Sequence, residues 1–223
     1  MAHKRLLEAV RFAPGHKIIT IPLAGLFSAI FFLYVWLNHV FLLVALFLSA
    51  VLLIFVLWFF RDPERHVPEG TGVVAPADGK VFEIAERDGL TSVNIMMSLF
   101  DVHVTRMPLT GRVLSIEKKP GSYLPMLPFY TKISRKNARQ KIKIEVGDFQ
   151  IETVQISGFI ARRCVCYHEP GTVVPRGNRL GIIRFGSEVD TSFPSDKFRV
   201  SVKIGQNVRA GETLIAVEHE KAI

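Results

Sequence analysis

"VKIGQNVRAGETLIAVEHE" spans Val202–Glu220, and its reading decides the fold of the larger part of the chain. Two turn sites, Gly205-Gln206-Asn207 and Ala210-Gly211-Glu212, leave Val208 between them and apolar residues on either side. Glycine adopts positive φ at no steric cost, so each site suits a tight turn. The apolar stretches between such turns are too short for helices and read as short strands.

The same rhythm extends upstream. After residue 66 helical periodicity is scarce. Alternating or apolar stretches recur at Gly72–Val74, Val81–Ile84, Ser92–Met97, Val113–Lys118, Gln140–Val146, Gln150–Ile156, Ala161–Tyr167, Gly181–Phe185, Phe198–Ile204 and Thr213–Glu218. Many are β-branched and bounded by Gly, Pro, Asn or Asp, which predicts a mostly β domain. The segment "VVAPADGKV" (Val73–Val81) looks like a hairpin matching the C-terminal one. Two such hairpins packed together resemble a barrel-sandwich, as in lipoyl and biotinyl carriers, which is a signal of fold and not of function. Residues 119–139, with three prolines and a basic cluster, break the rhythm and predict a long loop, of a length that is often functional.

The first 60 residues are different. Residues 18–37 and 41–60 are 20-residue runs without a charge, the length that spans a bilayer as a helix. In the second, 16 of 20 residues are Leu, Ile, Val or Phe, contributing roughly −5 to −10 kcal/mol to insertion. Only Asn38, His39 and Val40 separate the runs, which predicts a tight transmembrane hairpin with both outer ends on one side. Lys4, Arg5, Arg11 and Lys17 precede it, Arg61 and Arg65 follow it, and its tip has no Lys or Arg. The positive-inside rule then puts both ends in the cytoplasm. A cleaved signal peptide is disfavoured, because a second apolar run follows at once without a small-residue cleavage site. The expected organisation is a basic N-terminus (1–17), a helical hairpin (18–60) and a cytoplasmic domain (61–223).

The chain carries a net charge of +8. A basic domain held against a membrane suits an anionic lipid surface. No basic helix, zinc pattern or aromatic-basic strand motif points to nucleic acid. Cys164 and Cys166 share one face if they lie on a strand, and in a cytoplasmic domain they are expected reduced, not disulfide-bonded or metal-bound.

The stretch "GIIRFGSEVDTSFP" (Gly181–Pro194) ends an apolar run on Gly186-Ser187. This is either a turn or a reactive peptide bond. A serine needs a base to act as a nucleophile. His66, His103, His168 and His219 are the candidates in the soluble part. His103 lies in "MSLFDVHVTRMP" (Met97–Pro108), alternating with Val102 and Val104 as on a strand. Asp78, in Pro76-Ala77-Asp78-Gly79, is first of all a turn signal. Taken singly, each of the three residues has an ordinary structural reading.

Together the pieces resemble the phosphatidylserine decarboxylases, specifically their short prokaryotic branch. The matching segments, in order, are "FFRDPERHVP" (Phe59–Pro68), "APADGKV" (Ala75–Val81), "DVHVTRMPLTGRV" (Asp101–Val113), "KPGSY" (Lys119–Tyr123), "ARRCVCY" (Ala161–Tyr167) and "RLGIIRFGSEVD" (Arg179–Asp190). The resemblance implies that the Gly186-Ser187 bond cuts itself. Residues 1–186 become a β chain, and residues 187–223 an α chain whose first residue is a pyruvoyl group. Ser187 would take the acyl group of Gly186 as an ester. Loss of its α-proton would then free the carboxylate, and hydrolysis would leave pyruvoyl and ammonia. Asp78 and His103 are implied to orient and deprotonate.

The mature ketone is implied to form a Schiff base with the amine of phosphatidylserine, to stabilise the carbanion left by carbon dioxide, and to release phosphatidylethanolamine. His103 is the implied proton donor. Neither a metal nor pyridoxal phosphate is implied. The expected location is the cell (inner) membrane with catalysis on the cytoplasmic side, and a homo-oligomer stays open.

The chain departs from the family pattern at three places. Longer branches have His-x-x-His where this chain has His103-Val-Thr-Arg106, which leaves open which residue starts self-cleavage and which returns the proton, with His103 a candidate for both steps. Arg106 is then a candidate for the head-group phosphate or carboxylate, or a structural residue. Glu188 stands where many short members have Arg, and Asn137-Ala138-Arg139 where they have Asn-Glu-Arg.

Two other readings compete. A non-enzymatic membrane adaptor or carrier would use Lys80 as a modified turn lysine, although Gly79 precedes it in place of an apolar residue. A serine hydrolase would use Ser187, His103 and Asp78, but no Gly-x-Ser-x-Gly elbow is present and Ser187 falls at a strand end.

Overall fold

The computed structural model describes residues 11–122, 136–158, 163–184 and 187–219. Gly186, Phe185, the centre of the Pro-rich segment, Ala161, Arg162, Lys4 and Arg5 lie outside that description. The chain divides into two compact units, Met1–Glu64 and Arg65–Ile223.

In the first unit, β1 (Arg11–Phe12) pairs antiparallel with β2 (Arg61–Asp62), and two helices lie between them in sequence. Helices α1 (Lys17–Leu37) and α2 (Val40–Phe59) match the two apolar runs within a residue or so. Asn38 ends α1 in the left-handed region (φ 46°) and returns its N–H to the Tyr34 carbonyl at 2.7 Å, so two residues suffice to reverse the chain. Both helices are long and apolar enough to cross a bilayer, with mean hydropathies of 2.3 and 3.3. Their large side chains, Trp36 and Phe41 among them, are exposed, which is consistent with membrane association.

The second unit is mostly β. Its strands are β3 (Val73–Val74), β4 (Gly79–Arg87), β5 (Leu90–Met97), β6 (Val104–Arg106), β7 (Gly111–Lys119), β8 (Arg139–Val146), β9 (Phe149–Ser157) and β10 (Cys164–Cys166). They continue as β11 (Val173–Val174), β12 (Arg179–Ile183), β13 (Ser187–Pro194), β14 (Phe198–Val200), β15 (Asn207–Val208) and β16 (Leu214–Glu218). One eight-stranded sheet runs β11-β7-β8-β9-β13-β5-β4-β15, joined by two three-stranded sheets, β10-β12-β6 and β14-β16-β3. Every pairing between these strands is antiparallel. Register shifts at Val81/Glu83 and Val113/Ser115 act as bulges and increase local twist, which curls the sheet.

The core lies on one face of this sheet. Val81, Val93, Ile95, Val113, Ile142, Ile144, Val189 and Phe193 are buried there, against Ile183, Leu180 and Ile215 from the smaller sheets. Each such side chain contributes about 1.5–3 kcal/mol on burial. The two hairpin-like segments do meet: Val73 and Val74 pair with Ala216 and Leu214, and Gly79 and Lys80 pair with Val208 and Asn207. Asp78-Gly79 is not a hairpin tip but the entry to β4. Gly79 has φ 147°, and a Cβ there would collide with the Met96 carbonyl.

Two expectations change. The apolar run before the Gly-Ser step ends earlier, at Ile183, and Ser187 opens a further strand, β13, in the middle of the large sheet. The alternation around His103 is absent too: β6 begins at Val104, and Val102, His103 and Val104 are all buried.

Candidate functional site

Position 187 is fixed by its neighbours on both sides. β13 pairs with β5 over eight residues, from Ser187↔Met97 to Pro194↔Leu90, and with β9 from Ser187↔Ser157 to Ser192↔Glu152. Alternation puts positions 187, 189, 191 and 193 in one phase, and Val189, Thr191 and Phe193 are fully buried.

Ser157 turns its backbone away from β13. Its N–H donates to the Ala138 carbonyl at 2.9 Å, and its carbonyl accepts from Asn137 Nδ2 at 3.0 Å. Its hydroxyl also donates to Ala138, at 2.8 Å. The 157/187 pair is therefore the non-hydrogen-bonded kind, whose Cα atoms approach to about 4.5 Å.

His103 is fully buried, and its Nδ1 lies 2.9 Å from the Asp101 carbonyl. A carbonyl only accepts, so Nδ1 carries the proton, and in the neutral ring Nε2 is the basic nitrogen. The His103 carbonyl accepts from the Ile183 N–H at 3.1 Å, which ties the residue to the strand that leads toward position 187. Asp101 is itself held, because its Oδ2 accepts from the Ser98 N–H at 2.7 Å.

The carboxylate of Asp78 is held by residues other than His103. One carboxylate oxygen faces Arg65 NH2 at 2.7 Å, and the other accepts from the Ala210 N–H at 2.7 Å. Arg65 also reaches Glu212 at 3.6 Å, and its side chain is 6 % exposed. Arg106 is buried, with its guanidinium toward the Gly177 carbonyl at 3.4 Å and its N–H on the Pro76 carbonyl. Glu188 is buried on the outer face of β13 and accepts from Asn94 Nδ2.

Cavities open on both flanks of β13. On the β5 side one of about 710 Å³ is lined by Met97, Met96, Phe82, Asp78, Asp101 and Lys80, among others. On the β9 side one of about 310 Å³ is lined by Ser157, Gln140, Lys118, Lys119, Arg139 and Arg163, with Cys164. Beneath the second runs a buried amide chain: Gln140 Nε2 donates to Gln155 Oε1 (3.1 Å), and Gln155 Nε2 to Thr105 Oγ1 (2.8 Å). Burial pushes the Cys164 thiol up to about 12, against a smaller opposing pull from the Lys118 cation. Cys166 is pushed in the same direction, again by burial. Both cysteines are free thiols.

Sequence reasoning picked out Ser187, His103, Asp78 and Arg106, named Asn137 only within a family element and Arg65 only as a basic flank of the hairpin, and missed Ser157. Ser157 is found only through strand register. Arg65 was visible in "RDPER" (Arg61–Arg65), but its partner lies 13 residues away across a turn. Lys80, the turn lysine of the carrier reading, sits inside β4, facing Met96 and Asn207 across the sheet.

The family model described as phosphatidylserine decarboxylase matches residues 52–216. A phosphatidylserine decarboxylase proenzyme of Chlorobium chlorochromatii is 45 % identical over 174 residues, covering 75 % of this chain and 81 % of that protein. The proenzyme of Streptomyces griseus is 47 % identical over 163 residues, covering 72 % and 73 %. That of Syntrophus aciditrophicus is 42 % identical over 169 residues, covering 72 % and 78 %.

Proposed function

The chain belongs to the phosphatidylserine decarboxylase family, and from that premise we propose that it is a self-processing enzyme whose reacting group is made from Ser187. The chain is a decarboxylase, and phosphatidylserine is the substrate that the family supports. The finer reading is that the Gly186-Ser187 bond is cut, residue 187 becomes a pyruvoyl group, and phosphatidylserine becomes phosphatidylethanolamine and carbon dioxide.

One observation carries this reading. The chain enters the central strand of the sheet at residue 187 and is paired there on both sides. Losing the preceding peptide bond would not release it. The C-terminal piece keeps the β13 ladders with β5 and β9, and the β15–β4 and β16–β3 pairings. A new chain start would also lie between two cavities, where a small molecule can reach it. The group fits the position, because its immediate strand neighbours, Met97 and Ser157, carry no charge.

When formed, the pyruvoyl supplies an electrophilic ketone for the lipid amine and a sink for the electrons left by carbon dioxide. The residues around it bind, orient and move protons. His103, protonated at Nδ1 and held by Asp101, presents Nε2 as the base for processing and the acid for returning a proton. Asp78, locked by Arg65 and Ala210, shapes the wall of the β5-side cavity and does not relay a proton. Arg106 holds the Pro76–Asp78 segment through its N–H.

The lipid does not have to leave the bilayer completely. Only five residues, 60–64, lie between Phe59, the end of α2, and Arg65 in the sequence. The basic flanks of the hairpin support a cytoplasmic face at the cell (inner) membrane as the location of catalysis.

Replacement of Ser187 by Ala, followed by a denaturing gel and intact mass, tests the reading. The wild-type chain is expected as two fragments, the smaller starting at residue 187 with a ketone that reacts with phenylhydrazine. The variant is expected uncut and inactive. An uncut wild-type chain that still releases carbon dioxide from phosphatidylserine would overturn it.

A further inference from the structure

We propose that the cationic cavity on the β9 flank is the seat for the phosphodiester of the substrate head group, gripped by Lys118, Lys119 and Arg163. The proposal deepens the reading of residue 187 as the reacting position and rests on it.

The cavity holds about 310 Å³ and carries four cationic side chains, Lys118, Lys119, Arg139 and Arg163, with no carboxylate among its lining residues. Charge pairing elsewhere on the same strands makes this notable. Lys141 faces Glu152 at 2.9 Å and Lys143 faces Glu117 at 3.6 Å. Lys118, Lys119 and Arg163, exposed at the rim, have by contrast no ion-pair partner among the described residues. Like charges around one small concavity repel each other, and low-dielectric walls focus their field. A counter-ion removes that cost, and a phosphodiester is an anion of suitable size.

The second observation lies at the floor. Gln140 is 1 % exposed, and its Oε1 has no hydrogen-bond partner among the described residues, because its Nε2 is committed to Gln155. An unpartnered buried acceptor costs about 1–3 kcal/mol and calls for an N–H. A head group carrying a phosphodiester and an amine answers both needs, the anion at the rim and the ammonium at the floor.

Distance supports the same orientation. Ser157 lines this cavity and faces position 187 in a close pair, Cα to Cα about 4.5 Å. In a phosphoserine head group the amine and the phosphate are joined by two carbons and an oxygen. With the phosphate on the lysines, the amine falls on the Ser157 side, toward residue 187. The β5-side cavity is less suited to an anion, since Asp78 and Asp101 offset Lys80 and Arg209 there.

The test uses the full chain in detergent micelles. Binding of glycerophosphoserine is measured by calorimetry on the Ser187→Ala chain, which needs no ketone, and on that chain carrying also Lys118→Gln and Lys119→Gln. Turnover of phosphatidylserine is measured in parallel for the processed enzyme and the double-lysine variant. Expected are a loss of binding and a rise in KM of about tenfold or more, with kcat changed less than about twofold and a KM that no longer rises with salt. Lys118→Arg with Lys119→Arg restores KM, and Lys80→Gln leaves it unchanged. Equal binding of inorganic phosphate and glycerophosphoserine would reduce the site to a bare anion hole and overturn the head-group assignment. Unchanged binding and KM in the double variant, or a KM raised by Lys80→Gln alone, would overturn the seat. A wild-type chain without a ketone would instead fault the reading of residue 187, while the binding arm still decides the seat.

Discussion

The two flanks of β13 differ in charge and in wall chemistry. On the β5 side the cavity is large, with methionine and phenylalanine walls and two carboxylates, Asp78 and Asp101, each held by its own hydrogen bonds. On the β9 side it is small, cationic, and floored by buried amides. One strand thus separates a region that fixes acids and, through Asp101, a histidine from a region that gathers positive charge. The difference suggests a division between proton handling and grip, with residue 187 on the line between them.

The largest test of that division is His103→Asn. The asparagine keeps a donor at the δ position for the Asp101 carbonyl and removes Nε2. Turnover is expected to fall by roughly 10²–10⁴, the usual worth of a positioned acid or base, with KM nearly unchanged. The gel reports the same variant's self-cleavage separately. A raised KM at unchanged turnover would move His103 to the gripping side and break the comparison.

How much of this was readable beforehand depends on the range of each interaction. The helices α1 and α2 were legible because bilayer partitioning is a sum over local residues. The turns at Gly205 and Gly211 were legible because positive φ has a residue signature, and both glycines do have it (φ 89° and 75°). β13 was not. Its outward residues Glu188 and Asp190 look like loop acids, yet Glu188 is buried against Asn94, whose position is known only once β5 lies alongside. The amide chain Gln140–Gln155–Thr105 draws on three strands, so no local pattern announces it. The same holds for the site: Ser187 and His103 carried their chemistry in their residue types, whereas Ser157 has meaning only through register.

A second test acts on the β5 side. Asp78→Asn leaves the Arg65 guanidinium, 6 % exposed, with Glu212 at 3.6 Å as its one remaining anion among the described residues. Uncoupling a buried pair in this way is expected to cost about 3 kcal/mol, measured as a lowered Tm of the detergent-solubilised chain. Adding Arg65→Met should recover part of the loss, because no buried charge is then left alone. Additive losses in the double variant would show that Asp78 acts through its bond to the Ala210 N–H alone, and the carboxylate would drop out of the comparison.

The smallest effect separates burial from charge on the β9 flank. Cys164 sits in the cationic cavity, and the nearby Lys118 cation by itself would lower its pKa, but burial dominates and raises it from 9.0 to about 12. The folded chain therefore holds this proton more tightly than the unfolded chain does. The associated stability is fully present below about pH 9 and is lost as pH rises toward 12, by at most about 1.4 kcal/mol per pH unit. Cys164→Ala should flatten that alkaline decline in Tm, while the packing lost with the Sγ adds an offset that does not vary with pH. Native Cys164 should also react slowly with iodoacetamide at pH 8, since the thiolate is the reactive form. Lys118→Gln should slow it further by removing the one opposing charge. Fast labelling at pH 8 would mean that the cations outweigh burial, and that this flank is an open electropositive groove instead of a cavity with a dry floor.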